Sequence, residues 1–262
     1  MDSLSAVPCR LRFFNLSATG SAFATGFVVA TDDESKFLVT NWHNVTGKDS
    51  ITGDFLNAMM PSHLEVTFRG GSRQINDLVT RTISLFTDHE QTEPAWLEHS
   101  VHGNDVDVVL LPLPEALVEG LTILPINRQG LDQQLLPRVA DDVFVLGYPF
   151  IEPPPFSLAI WKKGSIASEP RAAVGGLPKF YIDTATRPGL SGSPVVMQRV
   201  GIHGKDGDKL RGDEIIGRIR AFIGIYSGRI GSEQMAQLGV VWHASVLAEI
   251  SQNGRQGSLF KR

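Results

Sequence analysis

Apolar positions in this chain fall in short runs rich in β-branched and aromatic residues. Arg10-Leu11-Arg12-Phe13-Phe14, Gly26-Phe27-Val28-Val29-Ala30 and Lys36-Phe37-Leu38-Val39-Thr40 are brief and punctuated by Gly, Asp and Asn, the pattern of strands. Thr31-Asp32-Asp33-Glu34-Ser35 reads as a polar hairpin loop between the second and third. Similar runs recur at 63–68, 80–86, 107–113, 142–146, 159–166, 180–184, 194–197 and 221–226. Helical periodicity is sparse: one or two turns at 115–120 and a short amphipathic helix over 244–250. Many short strands, with 26 glycines and 15 prolines, predict an all-β fold of the sandwich or barrel kind. Residues 121–136 have no clear period, so we place the boundary there: one unit at 8–120, a linker at 121–136 and a second unit at 137–252.

Composition narrows the function classes. The chain has 262 residues, 42% hydrophobic and 20% charged, enough for a substantial core and ordinary for a folded protein. A net charge of −4 gives no broad basic surface for nucleic acid or an anionic membrane. The basic stretch 255–262 reads as a solvated tail. One cysteine, Cys9, precludes an intrachain disulfide and points to a reducing compartment or a bacterial type of protein. Neither a signal peptide nor a membrane span is recognised, so a cytoplasmic location is the expectation.

Candidate chemistry centres on Arg187-Pro188-Gly189-Leu190-Ser191-Gly192-Ser193-Pro194. A serine between flexible neighbours can expose its hydroxyl beside backbone N–H groups, as an acyl-transfer nucleophile requires. A Gly/Ser/Pro turn is the plain alternative. Two upstream segments favour the chemical reading. In Leu38-Val39-Thr40-Asn41-Trp42-His43, His43 can serve as a base near neutral pH. Asp107, ahead of Val108-Val109-Leu110-Leu111, can orient that base from the edge of a core; Asp105 is its rival.

Together these segments resemble the trypsin-like, chymotrypsin-fold serine peptidases, especially the bacterial, disulfide-free kind. Gly26-Phe27-Val28-Val29, the segment ending in His43, Asp107-Val108-Val109-Leu110-Leu111 and Gly189-Leu190-Ser191-Gly192-Ser193-Pro194 occur in that family's order, and the similarity spans about Arg10 to Ile250. The resemblance implies two packed antiparallel β-barrels with a short C-terminal helix, and a catalytic cleft between the barrels. It implies a serine endopeptidase with His43, Asp107 and Ser191 as catalytic residues and the N–H groups of Gly189 and Ser191 as oxyanion hole. Tyr226, Ser227 and Gly228 would pair with the substrate backbone. Ala185 and Thr186, with Gly239-Val240-Val241, would form the primary specificity pocket.

Departures from the family pattern refine these expectations. Leu190 stands where zymogen-activated members carry an aspartate, so cleavage-dependent activation is not expected. Ala185 offers no carboxylate for Arg or Lys, which favours an uncharged residue before the scissile bond. Tyr226 replaces the histidine of glutamate-cleaving members, leaving that specificity open and unfavoured. Ser193 adds a hydroxymethyl where glycine is commoner. The expected partner is a protein or peptide substrate, without nucleic acid or membrane. No cofactor or metal is expected. A silent peptide-binding module and a protease held inactive by a regulatory protein are the alternatives.

Other constellations have plainer readings. The serine segment lacks the second glycine and following helix of an α/β-hydrolase elbow. Thr46-Gly47-Lys48-Asp49 and Gly204-Lys205-Asp206 lack phosphate-loop spacing and read as turns. His89, His99 and His102 lack a second ligand cluster and read as structural or surface residues. Trp42 and Trp242 read as packing residues, Trp42 as a wall of the cleft, and His243 as a capping or packing residue.

Overall fold

A computed structural model describes residues 2–16, 20–56, 60–72, 74–149, 152, 155–185, 187–203, 215–230 and 238–261. Thr186 and Gly204-Lys205-Asp206, expected as a turn, lie outside them.

The first unit contains Cys9–Phe14 (β1), Ser21–Ala30 (β2), Lys36–Thr40 (β3), His63–Gly70 (β4), Leu78–Ser84 (β5), Leu97–Glu98 (β6), Val109–Leu113 (β7) and Leu121–Thr122 (β8), with helices Trp42–Thr46 (α1) and Glu115–Val118 (α2). The second contains Asp142–Gly147 (β9), Ile160–Ile166 (β10), Lys179–Asp183 (β11), Pro194–His203 (β12), Ile215–Ile230 (β13) and Leu238–His243 (β14). Helix Ser245–Asn253 (α3) and strand Arg255–Gln256 (β15) follow. Every strand pairing among the described residues is antiparallel.

The first sheet runs β15-β6-β7-β3-β2-β1-β4-β5, with β8 on β4. Its ends approach where the chain leaves β5: Phe86 bridges Pro94, and Ala95 N–H donates to the Leu85 carbonyl at 2.9 Å, just ahead of β6. The second sheet is a closed barrel, β10-β11-β14-β13-β12-β9. The fold is mostly β, as the strand pattern predicts, and is the chymotrypsin-like architecture that the family resemblance implies, with its short C-terminal helix.

Alternation along the strands divides the side chains among three cores. On β2 and β3, Ala24, Val28 and Leu38 enter the first core, whereas Phe27, Val29 and Val39 enter a cluster shared by both units. That shared cluster also takes Leu110, Tyr148, Ile225, Trp242 and, from α3, Val246 and Ile250. Val109 and Leu111 face the first core instead, so 108–111 is apolar throughout because both of its faces are buried. The second barrel is filled by Val143, Val195, Phe180, Ile182 and Tyr226 among others.

Several local expectations need correction. The strand after Asp107 begins at Val109, because a tight turn closed by Val108 N–H on the Val106 carbonyl at 2.8 Å precedes it. Residues 121–136 are partly structured: β8 pairs with β4, and Asn127 bonds both backbone groups of Ala30. The 255–261 stretch is docked rather than solvated. Its strand β15 pairs with β6, and Ser258 N–H donates to the buried Glu98 carboxylate at 2.6 Å. Its basic composition concealed this because the docking uses mainly backbone groups.

Candidate active site

The two units meet along the segments that carry His43, Asp107 and Ser191. His43 lies in α1, whose preceding residue, Asn41, sends its side-chain amide to the Asp107 carbonyl at 2.6 Å. His43 N–H donates to Asp107 Oδ1 at 3.0 Å, and His43 Nδ1 lies 2.7 Å from Asp107 Oδ2. Ser227 Oγ, arriving from β13, donates to the same Oδ2 at 2.5 Å. The carboxylate is buried, and these three donors compensate its desolvation. Asp105 instead pairs with Lys261 at 3.0 Å and is half-exposed, so geometry separates the two aspartates.

Burial works against a charged His43 imidazole, but the charge and hydrogen bond of Asp107, with a contribution from Asp49, outweigh it and raise its pKa above the usual 6.5. With Nδ1–H directed at Asp107, the neutral ring presents Nε2 as the acceptor.

The Ser191 loop is shaped by backbone contacts. Gly189 and Gly192 have φ of 96° and 84°. A Cβ on Gly189 would lie 2.3 Å from the Tyr148 carbonyl oxygen, and one on Gly192 would lie 2.1 Å from that of Thr25. Only glycine meets both requirements. Thr25 holds the loop from the first unit: its N–H donates to the Ser191 carbonyl at 3.0 Å and its hydroxyl to the Gly189 carbonyl at 2.8 Å. From β13, the Tyr226 carbonyl accepts Gly192 N–H, and Tyr226 N–H donates to the Ser193 carbonyl, each at 2.9 Å.

Among the described residues, the N–H groups of Gly189 and Ser191 donate no hydrogen bond. Ser191 Oγ donates to the Ser227 carbonyl at 3.3 Å rather than to His43. Leu190 is buried in the second core, in keeping with its lack of charge. Ser193 is fully buried, and its hydroxyl has no partner among the described residues.

The expected substrate-binding positions separate in space. Tyr226 lies inside the second barrel with both backbone groups engaged, its ring occupying the space that a Cβ on Gly239 would enter. Ser227 and Gly228 fall at a register break in the β13–β14 ladder, and Ser227 uses its side chain on Asp107. Ala185 is exposed just after β11, whereas Thr184 is buried and bonds the Lys163 carbonyl.

Other singled-out residues have structural partners. His99 Nε2 lies 2.7 Å from Glu249 Oε2, and its Nδ1 accepts two backbone N–H bonds. No three potential metal ligands cluster among the described residues. Trp42 is fully buried in the first core and does not wall the cleft, because its indole N–H is drawn to the Ser258 carbonyl at 2.9 Å. His243 ends β14 with its ring 5.1 Å from that of Phe180. Sequence reasoning missed Thr25 and Asn41, whose roles come from long-range contacts without a local signature.

Two antiparallel β units, with the buried His43–Asp107 pair and the Ser191 loop where they meet, define the chymotrypsin-like fold class. The family model of the trypsin-like peptidase domain matches residues 24–201, and the chain belongs to this family of trypsin-like peptidases. The fold is similar to that of AL20, a thermostable serine protease from an extremophilic microorganism, at 13% identity and a TM-score of 0.52, covering 95% of this chain and 97% of that one. The active form of the Rv3671c protease from M. tuberculosis is aligned at 16% identity and a TM-score of 0.49, covering 98% of this chain and 85% of that one. No curated protein gave a significant sequence match.

Proposed function

We propose that this trypsin-like peptidase is a serine endopeptidase that acts through an acyl-enzyme on Ser191. His43 Nε2 takes the hydroxyl proton as Ser191 Oγ attacks the scissile carbonyl. Asp107 holds the tautomer and balances the imidazolium. The N–H groups of Gly189 and Ser191 receive the developing oxyanion. His43 then protonates the leaving amine, and water, deprotonated by the same ring, releases the acyl group.

One observation carries this reading: the base is fully anchored to Asp107, while the two backbone donors beside Ser191 make no other bond among the described residues. We assign substrate backbone pairing to Ser227 and Gly228, with Tyr226 shaping the space behind them. Without a carboxylate at Ala185, residues other than Arg and Lys are preferred before the scissile bond. Units 8–120 and 137–252 form the two walls of the cleft, joined through 121–136.

Cytoplasmic action fits the lone, buried Cys9, whose thiol burial pushes up to about 12. A form held off by a regulatory partner is the second reading, favoured by the bond of Ser191 Oγ to Ser227 rather than His43.

A fluorophosphonate probe tests the assignment. It should label the native protein at Ser191 and leave Ser191→Ala unlabelled. Absence of labelling in folded native protein, with or without candidate partners, sinks it.

A further inference from the structure

We propose that Arg255–Lys261 is a strap that positions His43 against Asp107, an inference that rests on the triad reading above. Three consecutive backbone carbonyls of the strap each accept a side-chain donor from the segments that carry this pair. The Ser258 carbonyl takes the indole N–H of Trp42 at 2.9 Å, and the Leu259 carbonyl takes Lys48 Nζ at 2.7 Å. The Phe260 carbonyl takes the side-chain amide of Asn104 at 2.6 Å. Trp42 immediately precedes His43, Lys48 follows the glycine that ends α1, and Asn104 begins the turn leading to Asp107. Lys261 completes the bridge, donating to the Asn104 carbonyl at 2.7 Å and pairing with Asp105 at 3.0 Å.

The other end of the strap is anchored independently. Gly257 N–H donates to the Trp96 carbonyl at 2.9 Å, and Ser258 N–H reaches the fully buried Glu98 carboxylate. A Cβ on Gly257 would lie 2.2 Å from Trp96 Nε1, so this position admits no side chain without displacement. The strap thus clamps both sides of the His43–Asp107 contact from behind. Freeing it lets α1 and the 104–107 turn drift apart by fractions of an ångström, a displacement to which the proton-transfer geometry is sensitive.

Two full-chain variants test the strap, read by kinetics and by the His43 Nδ1–H proton resonance, assigned by its loss in His43→Gln. Gly257→Leu should lower kcat at least about tenfold with KM nearly unchanged, since the strap lies behind the pair. The resonance should broaden, and the His43 titration should move down. The groups facing His43 in that titration are Asp107 and Asp49; Lys179 in turn interacts with Lys261, Asp107 and Asp105, and Lys261 pairs with Asp105. Lys48→Met with Lys261→Met should change kcat and the titration in the same direction by a smaller factor, and Lys48→Arg with Lys261→Arg should recover much of the loss. If Gly257→Leu does not fold, the lysine pair decides. Unchanged kcat and resonance in folded variants overturn the strap, even if thermal stability falls. The resonance needs no turnover, so failure of Ser191-dependent hydrolysis would strike the triad reading while leaving the strap separately decidable.

Discussion

The two sides of the proposed active site hold their chemical groups in opposite ways. On the first side, His43 and Asp107 are held by saturation: the carboxylate receives His43 N–H, the imidazole and Ser227, and Asn41 fixes its backbone. On the second side, Thr25 and Tyr226 hold the backbone around Ser191, while the N–H groups of Gly189 and Ser191 make no hydrogen bond among the described residues. In the proposed mechanism the base side needs a fixed tautomer, and its bonds are made internally. The nucleophile side of that proposed mechanism needs donors for charge that appears only during reaction, and the loop is held by other atoms.

Substitutions can break each side separately. Asp107→Asn should have the largest effect among them, lowering kcat by roughly 10⁴-fold through loss of the productive His43 tautomer. The pH profile should change as well. In the proposed mechanism activity needs neutral His43, so the native rate should fall as pH drops through its raised pKa. Removing the Asp107 charge leaves burial to disfavour the imidazolium, so the acidic limb should move to lower pH. A limb that moves upward contradicts this account. The same raised pKa contributes stability fully present below the usual imidazole value and lost as pH rises through the native one. Asp107→Asn should therefore flatten the stability profile across that window, as denaturant unfolding can measure.

Gly192→Ala attacks the second side. Its positive φ and the approach of the Thr25 carbonyl should cost about 2–3 kcal/mol of stability and disable Ser191 labelling. Unimpaired labelling would show that the loop does not need this backbone shape. Ser227→Ala links the two sides by removing one donor to Asp107. It should lower kcat roughly tenfold while substrate pairing through the backbone, read as KM, remains. Ser193→Ala should have the smallest effect. Loss of a buried hydroxyl with no partner among the described residues should raise unfolding stability by about 1 kcal/mol, with little change in activity.

The asymmetry also explains what was legible in the chain. Strands such as Lys36–Thr40 could be read closely because local alternation and flanking turns specify them. The Ser191 loop was visible because its backbone shape demands glycine at fixed neighbours. Asp107 and Asp105 could not be separated firmly from sequence: the distinction arises from the turn before β7 and from Lys261, remote along the chain. Thr25 and Ser227 look like ordinary strand residues, and their contacts depend on how the units pack. Strand β14 and the docked 255–261 segment were missed because short runs pair through backbone groups that composition does not reveal.

The central claim is that both sides act as one catalytic unit, and a double-mutant cycle on kcat with a peptide substrate tests it most directly. Ser191→Ala alone should reduce the rate by roughly 10⁶-fold. Adding Asp107→Asn should lower the residual rate little further, because the base has no nucleophile left to serve. If the two losses multiply, Asp107 and Ser191 act independently, and the proposed division of labour across the cleft is wrong.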